Sequence, residues 1–213
     1  MSNGVEPTRR ERTRGALREA GLRRFVTQGF EATTIADIAA DVGVTTRTFY
    51  RHFASKDELL FSDYEDRLDW FRRALSVRPR RESITTSVLN AIESFPDDPE
   101  VVSEIARLRA GAIDARRIEP HIRQAQAELG REIEAHLLAR QAAATSDGTT
   151  EGDGPFLAAV AAQAIAAAVF TALDRWMAGA DHNLDELSRL TALAIESLDQ
   201  GLGPARTRAR PTR

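Results

Sequence analysis

The sequence predicts an all-α protein made of an N-terminal three-helix unit and a C-terminal antiparallel helical bundle. Apolar residues recur three and four positions apart through most of the 213 residues, as they do on one face of an α-helix. No stretch of useful length alternates apolar and polar residues as a half-buried strand does. Ser or Thr followed three residues later by Asp or Glu marks helix starts at Thr34 and Ser55.

Glycines and capping residues divide the N-terminal unit into short helices. Gly29 follows the first periodic segment and can adopt the left-handed conformation that ends a helix. Gly43 permits a tight turn after the second helix, and Phe49 and Phe53 are expected in the core. The predicted segments are a disordered lead-in over 1–8, a helix over 9–28, a short helix from Thr34 to Val42, a third from Thr45 or Thr46, and a long fourth from Ser55 to about Leu75.

Prolines and one polar loop divide the rest of the chain. Pro79, Pro96, Pro99 and Pro120 are read as helix boundaries, because proline cannot continue a regular helix. The Gly-, Thr- and acid-rich stretch 145–154 is predicted to be a loop. The predicted helices lie near 82–95, 100–117, 121–144, 156–178 and 184–201, and the basic tail 204–213 is predicted to be disordered.

Charge is distributed unevenly along a chain whose formal net charge is only −3. Up to Lys56, the only lysine, ten basic and six acidic residues give +4, and four arginines from Arg206 onward give another +4. The segment between them therefore carries −11. A basic head on an acidic body predicts a polyanionic partner for the head.

Composition excludes several functional classes. With no cysteine, the chain has no disulfide, cysteine-ligated metal or thiol nucleophile. Its polar, arginine-rich start lacks the apolar core of a signal peptide, so we expect a cytoplasmic protein. Glu132 and His136 share a helix face at metal-ligand spacing, but two ligands are too few. With no phosphate loop or nucleophile elbow, we expect a non-enzyme without catalytic residue, metal or cofactor.

The segment between Phe30 and Leu60 carries the functional signal. A short helix, a turn at Gly43-Val44-Thr45 and another short helix form a helix-turn-helix, whose second helix enters the DNA major groove. The exposed face of that helix offers Arg47, which can bond bidentately to guanine, and threonines that can use a hydroxyl or a methyl group. Tyr50 can reach a phosphate.

These residues resemble the TetR family of bacterial transcriptional regulators. The resemblance lies in GFEATTIADIA at 29–39, GVT at 43–45 and TFYRHFASKDELL at 48–60, within a match that is dense over 9–60. It implies a homodimer with a helix-turn-helix DNA-binding domain over 9–55 and a ligand-binding and dimerisation domain over 56–203. The implied partners are double-stranded DNA with a near-palindromic operator, a second copy of the chain and a small-molecule effector of unknown identity.

The resemblance also assigns DNA contacts residue by residue. Three arginines, Arg9, Arg10 and Arg12, resemble a basic arm that lies along the backbone or in the minor groove. His52 has a second interpretation as a solvated surface histidine. The implied base contacts are Thr46, Arg47 and Thr48, and the implied phosphate contacts are Thr34, Tyr50, His52 and Lys56.

The alanine-rich helix over 156–178 is apolar almost all round, which predicts burial on most sides. A membrane span needs about 20 predominantly apolar residues, and this run is shorter, so no membrane partner is expected. The resemblance implies that this helix and the one over 184–201 form a four-helix bundle across the dimer two-fold.

A ligand pocket is expected in the body. Its candidate lining residues can equally be plain core. Nearby arginines at 107, 109, 116 and 117 can meet an anionic ligand such as an acyl-coenzyme A, an activity that a diffuse resemblance of 100–140 to acyl-CoA-binding TetR-like regulators also implies. The same arginines can instead pair with Glu100, Glu104 and Asp114. The candidate lining residues are Trp70, Phe71, Phe95, Leu108 and Phe170.

The leading functional hypothesis is a ligand-responsive homodimeric repressor. The alternative is a TetR-like DNA-bound adaptor that recruits a protein partner and senses no small molecule. An exposed apolar patch on the body without an enclosed cavity would favour the adaptor. A bundle-pocket enzyme would need convergent acid and base groups, which the sequence does not offer.

Overall fold

The structure, a computed structural model, describes residues 8–96, 99–112, 115–143, 152–179 and 182–201. This part of the chain is helical and contains no strand, which confirms the all-α prediction. The lead-in before Thr8 and the tail 204–213 lie outside it. The helices are α1 (Arg9–Gln28), α2 (Ile35–Asp41), α3 (Thr46–Tyr50), α4 (Lys56–Phe61), α5 (Asp63–Ser76), α6 (Ile84–Glu93), α7 (Pro99–Ala112), α8 (Ala115–Ala142), α9 (Gly154–Met177) and α10 (Leu184–Asp199).

The chain divides into two compact units. Unit 1 comprises Met1–Asp69, Pro96–Ala125 and Ala180–His182, and unit 2 comprises Trp70–Phe95, Gln126–Gly179 and Asn183–Arg213. The division falls within α5 and within α8. Segment 96–125, predicted to be part of the body, is grouped with the N-terminal helices in the structure. The functional boundary between 55 and 56 stays a prediction.

Unit 1 is built around a cluster of aromatic and aliphatic side chains. Phe49 and Phe53 are both buried, as predicted, with ring centroids 5.7 Å apart. Phe25 and Phe30 pack with centroids 4.8 Å apart on either side of Gly29, whose φ of 88° lies in a region that only glycine adopts freely. Burying each such side chain stabilises the fold by about 1.5–3 kcal/mol. This core fixes the orientation of α3.

Side-chain caps begin the first helices of unit 1. Thr34 and Asp37 form the predicted capping box on α2. Ser55 accepts a hydrogen bond from the Glu58 N–H at 3.1 Å, while the Glu58 carboxylate accepts one from the Ala54 N–H at 2.6 Å. Thr8, placed by the sequence analysis at the end of the lead-in, is the N-cap of α1. Each such cap stabilises its helix by about 1 kcal/mol.

A buried serine interrupts the predicted long fourth helix. α4 ends at Phe61 and α5 begins at Asp63, so the prediction of one continuous helix to Leu75 is wrong at Ser62. The Ser62 hydroxyl donates to the carbonyl oxygen of Leu59 at 2.7 Å. Such a bond competes with the regular backbone bonding of a helix.

The predicted helix boundary at Pro120 is wrong, because this proline lies inside α8. A proline removes one hydrogen bond to the carbonyl four residues earlier. The helix nevertheless continues through Pro120 to a length of 28 residues, and Leu129 and Ile133 on it are buried. The apolar face of α8 therefore outweighs the local cost of the proline.

Polar side chains tie the helices of unit 2 together. The Thr85 hydroxyl on α6 donates to the Asp199 carboxylate on α10 at 2.7 Å. The Glu82 carboxylate accepts from Arg78, from the Ser87 hydroxyl at 2.7 Å and from the Asn90 amide at 3.1 Å. These hydrogen bonds lower the pKa of Glu82 to about 2, and the bond from Arg78 has the largest effect. Glu82 thus organises the start of α6.

α9 is long and apolar enough, by length and composition alone, to cross a membrane. The sequence argument that the run is too short is wrong for this 24-residue helix. One such helix is weak evidence for a span, because a helix at a protein interface passes the same test. Only a third of its most apolar 18-residue window is buried, and the side chains of Phe156, Leu157 and Val160 are exposed. The prediction of burial on most sides is therefore wrong for this chain on its own.

Candidate nucleic-acid interface

α3 presents a polar face opposite the buried ring of Phe49. Thr46 and Arg47 are exposed, and Tyr50 is 58% exposed with its ring edge-on to Phe49. The Arg47 guanidinium has no ion-pair or hydrogen-bond partner within the described part of the chain. An exposed, unpaired guanidinium on a helix-turn-helix has both donors of its fork available to a base.

Thr48, the third predicted base contact, is half-buried and engaged within α3. Its hydroxyl lies 3.1 Å from the hydroxyl of Thr45, and its backbone N–H donates to the same Thr45 oxygen at 3.2 Å. Thr45 is the N-cap of α3, so this pair fixes the first turn. Because the Thr48 hydroxyl is engaged with Thr45, its methyl group is the part of the side chain better able to contact a base.

Thr34, a predicted phosphate contact, uses its hydroxyl internally. It donates to the Asp37 carboxylate at 2.6 Å and accepts from the Asp37 N–H at 3.1 Å. The bonds from Thr34 also lower the pKa of Asp37, so a negative charge stands at the start of α2. A DNA phosphate would have to compete with this carboxylate.

Lys56, the second predicted phosphate contact on a helix start, holds the turn between α1 and α2. Its ammonium donates to the carbonyl oxygens of Phe30 and Thr33, each at 2.7 Å, and lies 4.6 Å from the centroid of the Phe30 ring. An ammonium has three donors, so one remains for another acceptor. The structure thus gives Lys56 a positioning role that sequence reasoning did not foresee.

An open groove lies between the N-terminal turns of α1 and the α3 region. Arg9 and Arg10 of the predicted basic arm reach it, whereas Arg12 is exposed elsewhere on α1. Three arginines and no carboxylate line this groove, which makes it attractive to an anion. We call it the arginine groove, and its lining residues are Arg9, Arg10, Thr13, Val44, Thr48, Arg51 and His52.

His52 lies in the arginine groove and is only 7% exposed, so its interpretation as a solvated surface histidine is wrong. Neither ring nitrogen has a hydrogen-bond partner within the described residues. Burial, and then the charges of Arg51, Arg10 and Arg14, lower the pKa of His52. Its predicted phosphate contact stays a prediction.

Other arginines of α1 are committed to structural contacts. The Arg14 guanidinium donates to the carbonyl oxygen of His52 at 2.8 Å and lies 4.5 Å from the Phe53 ring centroid. It also pairs with Glu65. Arg24 pairs with Asp41 through two bonds of 2.5 and 2.7 Å. Arg14 and Arg24 are therefore used for contacts within the protein, whereas Arg9 and Arg10 line the arginine groove.

Arg109 forms a salt bridge, but with a partner that the sequence analysis missed. Its guanidinium pairs with the Asp63 carboxylate and donates to the carbonyl oxygen of Leu60 at 2.7 Å. The rings of Phe61 and Tyr64 lie 4.7 and 4.9 Å from it. Burial by itself would raise the pKa of Asp63, but the charges of Arg109 and then Arg67 lower it.

Arg117 binds two acidic residues near the N-terminus, Glu31 in the turn between α1 and α2 and Asp57 on α4. Its guanidinium donates to Glu31 at 2.9 Å and to Asp57 at 2.8 Å, and it lies 5.2 Å from the Phe30 ring centroid. Arg117 is therefore engaged in salt bridges, but with Glu31 and Asp57 in place of the predicted acidic partners. The side chain of Glu100 and the whole of Asp114, two of the partners predicted for the arginines, lie outside the described residues.

The predicted pocket residues do not form one group. Leu108 packs against the core cluster of unit 1, whereas the other four belong to unit 2. Trp70 donates to the Ser94 hydroxyl at 3.0 Å and meets Phe95 edge-on at a centroid distance of 6.0 Å. Phe71 and Phe170 are buried. A pocket lined by these four side chains stays a prediction.

Glu132, half of the weak metal-ligand pair, is engaged by an arginine. Its carboxylate accepts two hydrogen bonds from Arg72, at 2.7 and 2.8 Å. Burial, and then the charge of Arg140, lower the pKa of His136. Among the described residues, no three His, Asp or Glu side chains are placed to hold a metal ion.

Residues 17–62, which hold α2, α3 and most of the aromatic core, match the family profile "Bacterial regulatory proteins, tetR family". This segment is a TetR-type DNA-binding domain. The TetR-family match confirms the resemblance seen in the motifs. The matched segment includes α3, the second helix of the helix-turn-helix, and in such motifs the second helix reads DNA.

Curated relatives are similar to this chain over part of its length. It is 41% identical over 80 residues to the "HTH-type transcriptional regulator TcmR" of Streptomyces glaucescens, covering 38% of this chain and 35% of TcmR. The chain spans about a third of the length of the curated relatives that it matches. The relatedness by sequence to these relatives therefore concerns a minor part of each chain.

Solved structures extend the likeness in fold to nearly the whole chain. One from Syntrophomonas wolfei, assigned to the TetR family, has a TM-score of 0.58 at 20% identity and covers 91% of this chain and 98% of its own. The structure of Thermus thermophilus FadR, a TetR-family transcriptional repressor in complex with lauroyl-CoA, has a TM-score of 0.54 at 17% identity. The match covers 94% of this chain and 98% of the FadR chain. At these identities the likeness concerns the fold alone.

Proposed function

We propose that this TetR-family chain is a homodimeric, ligand-responsive transcriptional repressor that acts in the cytoplasm on a near-palindromic operator. The observation that carries the proposal is the unpaired Arg47 on the exposed face of α3, beside a groove lined by three arginines. A TetR-family DNA-binding domain supports the same assignment. The proposal includes no catalytic residue, metal or cofactor.

The proposed recognition surface separates base contacts from backbone contacts. Arg47 reads a guanine through two hydrogen bonds, and Thr46 and the Thr48 methyl group contact neighbouring base edges. Tyr50 and the arginine groove hold phosphates, which fix the position of α3 without reading sequence. In a dimer, two α3 helices would enter successive major grooves about 34–36 Å apart.

The apolar surface of α9 and α10 supports the proposed dimer. Phe156 is 66% exposed, and Leu157, Val160 and Leu193 are each at least half exposed. Monomeric proteins rarely leave such neighbouring apolar side chains uncovered. A second copy of the same two helices, packed around a two-fold axis, would cover them. A recruited protein, as in the adaptor alternative, could cover the same surface.

The proposed effector is a small molecule that binds in unit 2, near Trp70, Phe71, Phe95 and Phe170. The FadR structure holds lauroyl-CoA, and the shared fold supports the general expectation of a ligand. Arg109 and Arg117 are already neutralised by carboxylates, so they are poor candidates for binding an anionic headgroup. The effector must prefer the conformation that does not bind DNA in order to act as an inducer.

The decisive experiment begins with selection of DNA sequences from a random library by the purified protein. Enrichment of an inverted repeat, followed by a mobility shift, is the expected result. Arg47→Ala should relax the selected sequence, while Arg131→Ala on α8 should leave it unchanged. Failure of the wild-type protein to enrich any sequence would contradict the proposed function.

A further inference from the structure

The arginine groove encloses a histidine whose ring is unsatisfied. His52 is 7% exposed, and both of its ring nitrogens lack a hydrogen-bond partner within the described residues. Buried polar groups in folded proteins nearly always have a partner. An unpaired, buried imidazole that lines an open groove is therefore poised for a ligand that can accept a hydrogen bond.

The charges that face His52 come from two sides and have one sign. α1 contributes Arg9 and Arg10 to the groove, and Arg51 follows α3 in the chain. Arg14 of α1 donates to the carbonyl oxygen of His52 at 2.8 Å and is itself paired with Glu65 of α5. The groove itself is lined by no carboxylate. Its occupant should therefore be an anion.

We propose that the arginine groove takes up a DNA backbone phosphate together with a proton on His52, so that DNA affinity rises as the pH falls. This inference rests on the proposed function, because it deepens the role of the same DNA-binding surface. Phosphate contacts are independent of base sequence. The groove would thus make every DNA complex of this protein sensitive to pH.

The electrostatics of the groove give the direction of the effect. In the free protein, burial and then the charges of Arg51, Arg10 and Arg14 disfavour the imidazolium and lower the pKa of His52. A phosphate reverses both influences, because its charge offsets the arginines and its oxygens accept a hydrogen bond from the ring. The pKa of His52 is therefore higher in the complex than in the free protein.

The linkage between proton binding and DNA binding determines whether affinity rises or falls with pH, and by how much at most. Between the two pKa values the complex binds more protons than its separated components, so lowering the pH strengthens binding in that window. Above the higher pKa and below the lower pKa, the affinity no longer changes with pH through His52. One proton for each groove allows at most about a tenfold change in affinity per pH unit for each subunit.

Because the contact is independent of sequence, a random-sequence duplex of about 30 base pairs serves as the probe. Its affinity is measured by fluorescence anisotropy between about pH 5 and pH 8, at constant ionic strength and without phosphate or sulfate. The wild-type protein is compared with His52→Gln and with His136→Gln, a histidine outside the groove whose pKa is also lowered. We expect a several-fold gain in affinity per pH unit on acidification for wild type and His136→Gln, and a flat profile for His52→Gln.

A second measurement keeps the inference testable if His52→Gln fails to fold. Ring resonances of His52 in the wild-type protein, followed by NMR with and without the duplex, should titrate at a higher pH when DNA is bound. An unchanged His52 titration, or equal pH profiles for wild type and His52→Gln, would overturn the proton uptake and leave the DNA-binding function intact. No binding of the duplex at any pH would overturn the phosphate contact in the arginine groove, whereas the proposed function fails only if the selection from the random library enriches no sequence.

Discussion

The carboxylate of Asp63 and the guanidinium of Arg109 form an ion pair in which each side chain keeps less than a tenth of its surface exposed. Asp63 begins α5 and Arg109 lies near the end of α7. The pair thus joins helices of unit 1 that are separated by 46 residues in sequence. Its burial makes each partner dependent on the other, since an unpaired buried charge is expensive.

Asp63→Asn should therefore be strongly destabilising. The amide cannot neutralise Arg109, so we expect the free energy of unfolding to fall by about 3–5 kcal/mol. Asp66→Asn is the matched control, because Asp66 pairs with Arg18 while its own side chain is 61% exposed. That change should cost at most about 1 kcal/mol. Urea denaturation measures both, and equal losses would contradict the buried-pair assignment.

Lys56→Met tests whether this lysine positions the head or only contacts DNA. Loss of the bonds to the carbonyl oxygens of Phe30 and Thr33 should lower the free energy of unfolding by about 1–3 kcal/mol. A lysine that served only as a phosphate contact would weaken DNA binding without this loss of stability. Denaturation in the absence of DNA separates the two roles, and unaltered stability would refute the positioning role.

Arg47→Ala and Arg51→Ala should weaken DNA binding in different ways. Without Arg47, the preference for one base pair of the operator should fall by about 1–3 kcal/mol. Without Arg51 in the arginine groove, affinity should fall for all sequences, and the dependence of log affinity on log salt should lose about one unit of slope. Titrations at several salt concentrations, with operator and random duplexes, distinguish the effects. The assignment fails if Arg51→Ala alters base preference.

Glu82 should make stability sensitive to acid. Its pKa is lowered from 4.5 to about 2, so its stabilising contribution is complete above pH 4.5 and is lost as the pH falls towards 2. Glu82→Gln should be less stable than wild type at neutral pH, and the two unfolding free energies should converge across that window. Glu186→Gln is the control on an exposed pair with Arg189. Curves for Glu82→Gln and wild type that stay parallel would contradict this assignment.

Phe156→Asp tests the surface of α9 and α10. A carboxylate in a two-fold interface would face its own copy, so the substitution should shift sedimentation from dimer towards monomer. Val77→Asp provides the comparison, because Val77 is an apolar side chain that is 80% exposed outside these helices. It should leave the oligomeric state unchanged. A wild-type protein that sediments as a monomer would refute the proposed dimer.

Local signals in the sequence were sufficient to predict where the short N-terminal helices begin and which side chains of α3 are buried or exposed. Thr34 and Ser55 cap their helices as predicted, because a cap depends on residues three positions apart. The burial of Phe49 and the exposure of Tyr50 likewise follow from helical spacing. In the DNA-binding unit, therefore, short-range chemistry determines which side chains face outward.

Ion pairs between residues that are far apart in the chain could not be predicted from the sequence. Arg117 meets Glu31 across 86 residues, and no local pattern distinguishes Glu31 from other exposed acids. The break at Ser62 and the continuity of α8 through Pro120 each depend on burial that only the folded chain supplies. The same limit applies to His52, whose polar ring is buried by the arginines and helices around it.

The single lysine has a consequence for chemical probing. Lys56 carries the only side-chain amine of the chain, and its ammonium is engaged by two carbonyl oxygens. An amine-directed acylating reagent can modify this side chain only after those bonds open, because the nitrogen must lose a proton and turn outward to react. The rate of acylation at Lys56 would therefore report how often the turn between α1 and α2 opens, and the chain needs no engineered label for that measurement.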